Sequence, residues 1–252
     1  MSHLCLATTI ADQPKELLEK GQRLWPALKQ RFDAIVVHAT ASTHHDWMMF
    51  FEQENIPVAT MPADWDAIGL HRRRALALAL QHTDCSHVMY ADLDHVLRWV
   101  ERYPEDLDQT LAKIDDWDCL VMGKSQEAFA GLPRRLDETE ATMNHIYYLM
   151  TGHQWDLAMA ARGFSRAATQ LVVEKSKENT LGNDVAWPLL CETNGLKVGY
   201  TEANGLRYET NTVYATETED VEDNDPEAWM LRVKIESQQV DAMRPFLKFY
   251  QN

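Results

Sequence analysis

VMYADLDHVLRW, residues 88–99, runs an apolar segment into two aspartates one residue apart, Asp92 and Asp94, with His95 beside them. The run SHVMY that leads into the aspartates reads as a short buried strand. Ahead of it, GLHRRRALALALQHT (69–83) reads as a long helix, because Ala and Leu are good helix formers and the alternating tract lacks β-branched residues. Further back, HLCLATTI (3–10), DAIVVHAT (33–40) and IPVATMP (56–62) read as strands. Amphipathic helices separate them, PKELLEKGQRLWPALKQRF (14–32), opened by its proline, and HHDWMMFFEQEN (44–55). Strands that alternate with helices pair in parallel, so the sequence predicts a doubly wound α/β sheet. Ligands on such sheets gather at the carboxyl ends of strands, and the two aspartates stand at one of those ends.

Downstream, DCLVMG (118–123) and KVGYTEA (197–203) read as strands, and residues 124–152 as helix or loop. SRAATQLVVEKS (165–176) and DVAWPLLCETNG (184–195) read as helices. From Glu217 to Glu227 there are seven acids and no base. Residues 215–227 therefore read as an acidic linker between a domain at 1–214 and a C-terminal helical extension at 228–252. Trp229, Val233, Val240, Met243 and Phe246 form the apolar side of that extension, which breaks near Pro245. Such a side packs on the domain or joins two copies as a homo-oligomer.

At 252 residues the chain is long enough to bury a sizeable core. The balance of 24 basic against 39 acidic residues argues against a nucleic-acid surface, which needs clustered Lys and Arg. No apolar stretch has the length of a membrane span, and MSHLCLATTI enters a strand-like run directly, so a cytoplasmic location is expected. Cys5, Cys85, Cys119 and Cys191 form no CxxC pair and read as buried thiols.

Asp-x-Asp is a weak motif alone, and the chain holds five. Asp106/Asp108 follows Pro104 at the start of a helix, where acids favour the dipole. Asp116/Asp118 precedes its strand, Asp223/Asp225 belongs to the acidic segment, and Asp64/Asp66 suits a helix cap or a nucleotide-contacting loop. Only Asp92/Asp94 closes an apolar strand. Two carboxylates that alternate onto one side of a strand end repel unless they share a cation, and hard oxygen ligands suit Mg²⁺ or Mn²⁺ holding a diphosphate. His95 reads as solvated or packed in preference to a metal ligand.

Strand-ADLDH after an Arg-bearing helix resembles the DxD signature of nucleotide-sugar-dependent glycosyltransferases of the GT-A fold, family-two-like. GLHRRRALALAL resembles the helix whose glycine and arginine approach the diphosphate, AARGFSRAATQL the segment after the central aspartates, and GNDVAWPLLCETNGLKVGYTEANGLRYET the later acid, strand and loop. The resemblance covers roughly residues 1–211 and rests on the order of weak motifs. It implies a GT-A-like fold, a mixed, mainly parallel sheet flanked by helices, with the C-terminal extension beyond it.

The resemblance also assigns roles. Asp92 and Asp94 would meet the metal and diphosphate, Asp94 as the direct ligand. Arg73, with Arg72 as alternate, would neutralise the diphosphate, although a solvated helix face competes. Ala7, Thr8, Thr9 and Asp66 would hold the nucleoside. Asp184 would be the general base of an inverting enzyme, against a helix N-cap reading. Glu209 is the candidate third metal ligand, standing where several relatives have a late histidine. Trp155 and Trp187 would stack on a sugar or pack in the core. The expected partners are a nucleotide-sugar donor and an acceptor hydroxyl, with Mn²⁺ or Mg²⁺ as cofactor. Two other classes remain: a nucleotidyltransferase, although no glycine-rich phosphate loop with its lysine follows the first strand, and a non-catalytic nucleotide-sugar or protein-binding module.

Overall fold

A computed structural model of the chain describes residues 3–208 and 220–251. It opens with β1 (Leu4–Ile10), α1 (Leu18–Lys29), β2 (Ala34–Thr40), α2 (His45–Gln53), β3 (Val58–Met61), α3 (Ile68–His82) and β4 (His87–Tyr90). It continues through α4 (Leu93–Arg102), α5 (Pro104–Leu111), β5 (Cys119–Lys124), α6 (Gln126–Ala130), α7 (Arg134–Thr151) and β6 (Ala161–Ser165). The remainder is α8 (Arg166–Lys175), α9 (Asn183–Thr193), β7 (Val198–Ala203), α10 (Pro226–Met243) and α11 (Leu247–Tyr250).

The strands form one sheet in the order β3-β2-β1-β4-β6-β5-β7. All pairings are parallel except those of β6, which runs antiparallel to both neighbours, with Val88 opposite Phe164 and Leu120 opposite Gly163. β6 was not legible as a strand, because ARGFS carries an arginine and a glycine where an apolar alternation is expected. Arg162 is nevertheless buried, and it donates to the carbonyls of Leu157, Met159, Ala161 and Asp184, which ties the strand to its surroundings. Helices α1, α2 and α4 cover one face around Trp25, Trp47 and Trp99, and α3, α8 and α9 cover the other around Leu76 and Trp187. All four cysteines are free and buried.

Two sequence readings change. Asp92 and Asp94 do not share a strand face: β4 ends at Tyr90, Asp92 is the N-cap of α4, and Asp94 lies in its first turn. Leu93, Val96, Leu97 and Val100 are buried at helical spacing, and that periodicity overrides the extended reading of the preceding run. On α10 the expected apolar side holds in part, since Met243 is buried and Val240 and Phe246 pack on the core, but the buried face extends to polar residues. Ile235, Glu236, Gln239, Ala242 and Met243 are buried, whereas Val233 is 57% exposed. α10 packs on α7 and α9: Gln239 donates to Asp184 of α9, and Arg232 pairs with Glu140 of α7 and with Glu236 on its own helix. In the acidic stretch, Asp220, Glu222 and Asp223 all pair with the buried Arg135 of α7. No described helix is long and apolar enough to cross a membrane.

Candidate functional site

Because β1 to β5 and β7 all point one way, with only β6 reversed, their carboxyl ends line one edge of the sheet. A cleft of about 570 Å³ opens there. Its floor is the end of β1 and the residues that follow, Thr9 to Asp12, and the segment after β4, Asp92 to His95. Asp64 and Trp65 form one rim, Arg72 and Asp184 the back, and Arg232, Ile235 and Gln239 of α10 the far wall.

The floor is built around Asp92. Its Oδ1 accepts from the hydroxyls of Thr9, at 2.8 Å, and Tyr90, and its Oδ2 accepts from Arg72 Nη2 at 2.8 Å. Burial works to raise the Asp92 carboxyl, but Arg72, His95 and the two hydroxyls overcome it and hold the group at about 2. Arg72 then reaches past Asp92: Nη1 donates to Asp184 Oδ1 at 2.9 Å and to Asn183 Oδ1 at 3.2 Å. Burial disfavours its charge, yet Asp92 and Asp184 outweigh that and strengthen the guanidinium. Asp184 also accepts from Asn183 Nδ2 at 3.3 Å and from Gln239 Nε2 on α10 at 3.2 Å. Burial is the largest influence on Asp184 and raises its carboxyl despite Arg72 and Arg162. Two acids pushed in opposite directions thus share one arginine.

Asp94 differs from both. Its side chain is 38% exposed, and its nearest cations, His95 Nε2 at 3.6 Å and Arg98 Nη2 at 3.8 Å, are beyond hydrogen-bond length. Its oxygens are open to the cleft, which fits a metal ligand better than the fully engaged Asp92. Among the described residues, three groups with metal-ligand atoms converge only at His44, His45 and Asp46, outside this cleft. Asp94 and Asp92 are therefore no closed protein cage. They suit a hard cation that keeps its waters and takes further oxygens from a phosphate ligand.

The remaining candidates separate. Thr9 reaches the cleft, whereas Ala7 and Thr8 are fully buried within β1, because the strand is covered on both faces. Arg72 faces the site, whereas Arg73 donates to the Glu178 carbonyl and Asn179 Oδ1. One helical step of about 100° turns consecutive arginines to different neighbours. Gly69 packs against the backbone of Asn179 and Thr180, so its missing Cβ permits contact between α3 and that loop. Asp66 is exposed and pairs with Lys234 at 2.8 Å, a tether to α10. Trp187 is in the core, and Trp155 is stacked on His153 and Tyr200. Glu209 lies outside the described residues.

Several site residues carried no sequence signal. Asp12 caps the turn into α1 through the amides of Glu16 and Leu17 and accepts from Trp47 Nε1 at 2.8 Å. Arg232 and Gln239 come from a helix whose polar positions read as solvent-facing. The spacing of Arg232, Glu236 and Gln239 along one face of α10 was the available signal.

No family model matches the sequence, and no curated protein matches it. Solved structures do. Glucosyl-3-phosphoglycerate synthase of Mycobacterium tuberculosis aligns with a TM-score of 0.59 at 11% identity, over 98% of this chain and 81% of that one. The same enzyme in complex with Mn²⁺, uridine diphosphate and phosphoglyceric acid gives 0.58 at 11% identity, over 98% and 78%. Its complex with Mn²⁺, UDP-glucose and phosphoglyceric acid gives 0.58 at 12%, over 98% and 80%. At such identity the likeness establishes the fold, which is the GT-A-like one.

Proposed function

We propose that the protein is a nucleotide-sugar-dependent glycosyltransferase whose donor lies in the cleft above Asp92 and Asp94. The observation that carries this reading is the open carboxylate of Asp94 beside an Asp92 locked by Arg72, at the carboxyl end of a central strand. The solved neighbours add support, since they are complexes of a synthase with a metal and UDP or UDP-glucose.

In this reading Asp94, with Asp92 behind it, holds Mn²⁺ or Mg²⁺. When bound, the cation neutralises the diphosphate and stabilises its departure. Arg72 keeps Asp92 ionised and oriented, and supplies positive potential where charge builds on the leaving group. Thr9, Asp64 and Trp65 border the nucleoside end of the cleft. Asp184 is the candidate base for the acceptor hydroxyl: it lines the cleft, and a carboxyl raised by burial accepts a proton more readily than an ordinary one.

The test is thermal stabilisation by UDP-, GDP-, ADP- and TDP-sugars with Mn²⁺, with Mg²⁺ and with chelator. A metal-dependent shift for one donor, lost in Asp94→Asn, is the expected result. A shift that ignores metal would favour a binding module, and no shift with any donor would sink the reading.

A further inference from the structure

A second cleft, of about 440 Å³, opens on the same edge of the sheet at the carboxyl ends of β5 and β7. Only a thin partition separates it from the first. Asp156 lines the second cleft and Ala158 the first, two residues along one loop. Behind the loop, Lys124 of the second cleft pairs with Glu140 at 2.9 Å, and Glu140 pairs with Arg232 of the first at 3.0 Å. The two spaces are neighbours across a buried ionic wall.

The chemistry of the second cleft is specific. Its cation among the Lys and Arg residues is Lys124, whose side chain is 1% exposed and held by Glu140 and by Asp156 at 3.0 Å. That charge is neutralised twice over, and Glu202 adds an exposed carboxylate at the rim. An anion entering here would meet acids and no free lysine or arginine among the described residues. What the cleft does present is a set of aromatic surfaces, Phe129 and the exposed Tyr148, with the exposed amides of Gln126 and Gln154 between them. Trp155, stacked on His153 at 4.2 Å and Tyr200 at 5.6 Å, makes a rigid floor. Aromatic faces meet the C–H faces of a sugar ring, and amides both donate to and accept from hydroxyls.

We infer that the second cleft binds a neutral, polyhydroxylated molecule, a saccharide or polyol. This binding does not rest on the transferase reading. The class differs from the phosphoglyceric acid found with the solved neighbour: among the described residues the cleft's one lysine is already paired twice, and the exposed His145 is its other basic side chain.

The test is saturation-transfer NMR on the full chain with maltotriose, methyl β-glucoside, glycerol and phosphoglyceric acid as probes. Wild type is compared with Tyr148→Ala and Gln126→Ala, two exposed positions that leave the ion network intact. A saccharide or polyol signal that falls at least fivefold in both variants is the expected result. No signal from any neutral probe, a signal unchanged in both variants, or preferential binding of phosphoglyceric acid each overturns the inference. A parallel thermal-shift panel of UDP-, GDP-, ADP- and TDP-sugars with Mn²⁺, expected to be equal in wild type and variants, separates the two claims. Absence of any shift defeats the transferase reading while saccharide binding still stands or falls by its own signal.

Discussion

Arg72 on α3 and Asp184 in the first turn of α9 meet at 2.9 Å across 112 residues of chain, both nearly without solvent contact. The same guanidinium holds Asp92 at 2.8 Å, so one side chain joins the helix before β4, the end of β4 and the helix before β7. Breaking a buried pair by removing one partner typically costs about 3–5 kcal/mol, because the other charge is left uncompensated. Arg72→Ala is therefore expected to lower stability by that order in urea titrations and to weaken donor binding as well. Arg73→Ala, whose partners lie on the 176–179 segment, is expected to leave donor binding unchanged.

Asp94 and Asp106 give the complementary contrast. Asp94→Asn removes an open carboxylate and is expected to change stability by no more than about 0.5 kcal/mol while abolishing the metal-dependent part of the donor shift. Asp106 accepts from Trp99 Nε1 and from the amides of Asn204 and Gly205. Asp106→Asn is expected to destabilise the fold by about 1–3 kcal/mol and to leave the metal-dependent shift in place. Equal effects of both substitutions on that shift would remove Asp94 from the site.

Acid should reach Asp92 late, after carboxylates of ordinary pKa. Its folded value of about 2 lies below the ordinary 3.8, so its contribution is complete above that ordinary value and disappears as pH falls through about 2. The contribution is about 2 kcal/mol, at roughly 1.4 kcal/mol per unit. Asp92→Asn is expected to flatten the acid limb of the stability profile between pH 4 and 2, measured by urea unfolding.

Glu236 on α10 behaves in the opposite sense. Burial, opposed by Arg232 and reinforced by Glu140 and Asp184, raises it from 4.5 to about 7. The folded protein therefore holds a proton that the unfolded chain has released, and this contribution is full below pH 4.5 and lost as pH rises through 7. Glu236→Gln keeps an acceptor for Arg232, 2.8 Å away, and removes the titration. It is expected to raise stability at pH 8 by up to about 3 kcal/mol and to have little effect at pH 4. An equal change at both pH values would rule out the titration.

Gly69→Ala tests the contact between α3 and the loop that leads into α9. A Cβ there would overlap the Thr180 carbonyl oxygen and force that backbone away. A loss of about 1–3 kcal/mol is expected, with weaker donor binding because the loop carries Asp184 into place.

The alternation of helices and strands in the first 90 residues was legible because β1 to β4 are short, apolar and separated by helices of clear periodicity. β6 was hidden because an arginine and a glycine interrupt it, and its pairing is set by neighbours that are distant in sequence. The aspartate pair stood out, but its geometry did not, since the helical period of Leu93, Val96 and Leu97 begins inside the motif. Consecutive arginines on α3 cannot be ranked from sequence alone. Only the docking of the 176–182 segment distinguishes Arg72 from Arg73. The wall from α10 left only the spacing of Arg232, Glu236 and Gln239 as a signal, and that spacing does not tell a cleft wall from a solvated face until Glu140 and Asp184 are placed opposite them.

That wall also sets an order of events. α10 follows all seven strands in the chain, so during synthesis the sheet can close while Asp184 still lacks Gln239 and Glu140 still lacks Arg232. The far wall is therefore the last part of the cleft to be synthesised, and a chain with its seven strands complete still lacks Arg232, Ile235 and Gln239.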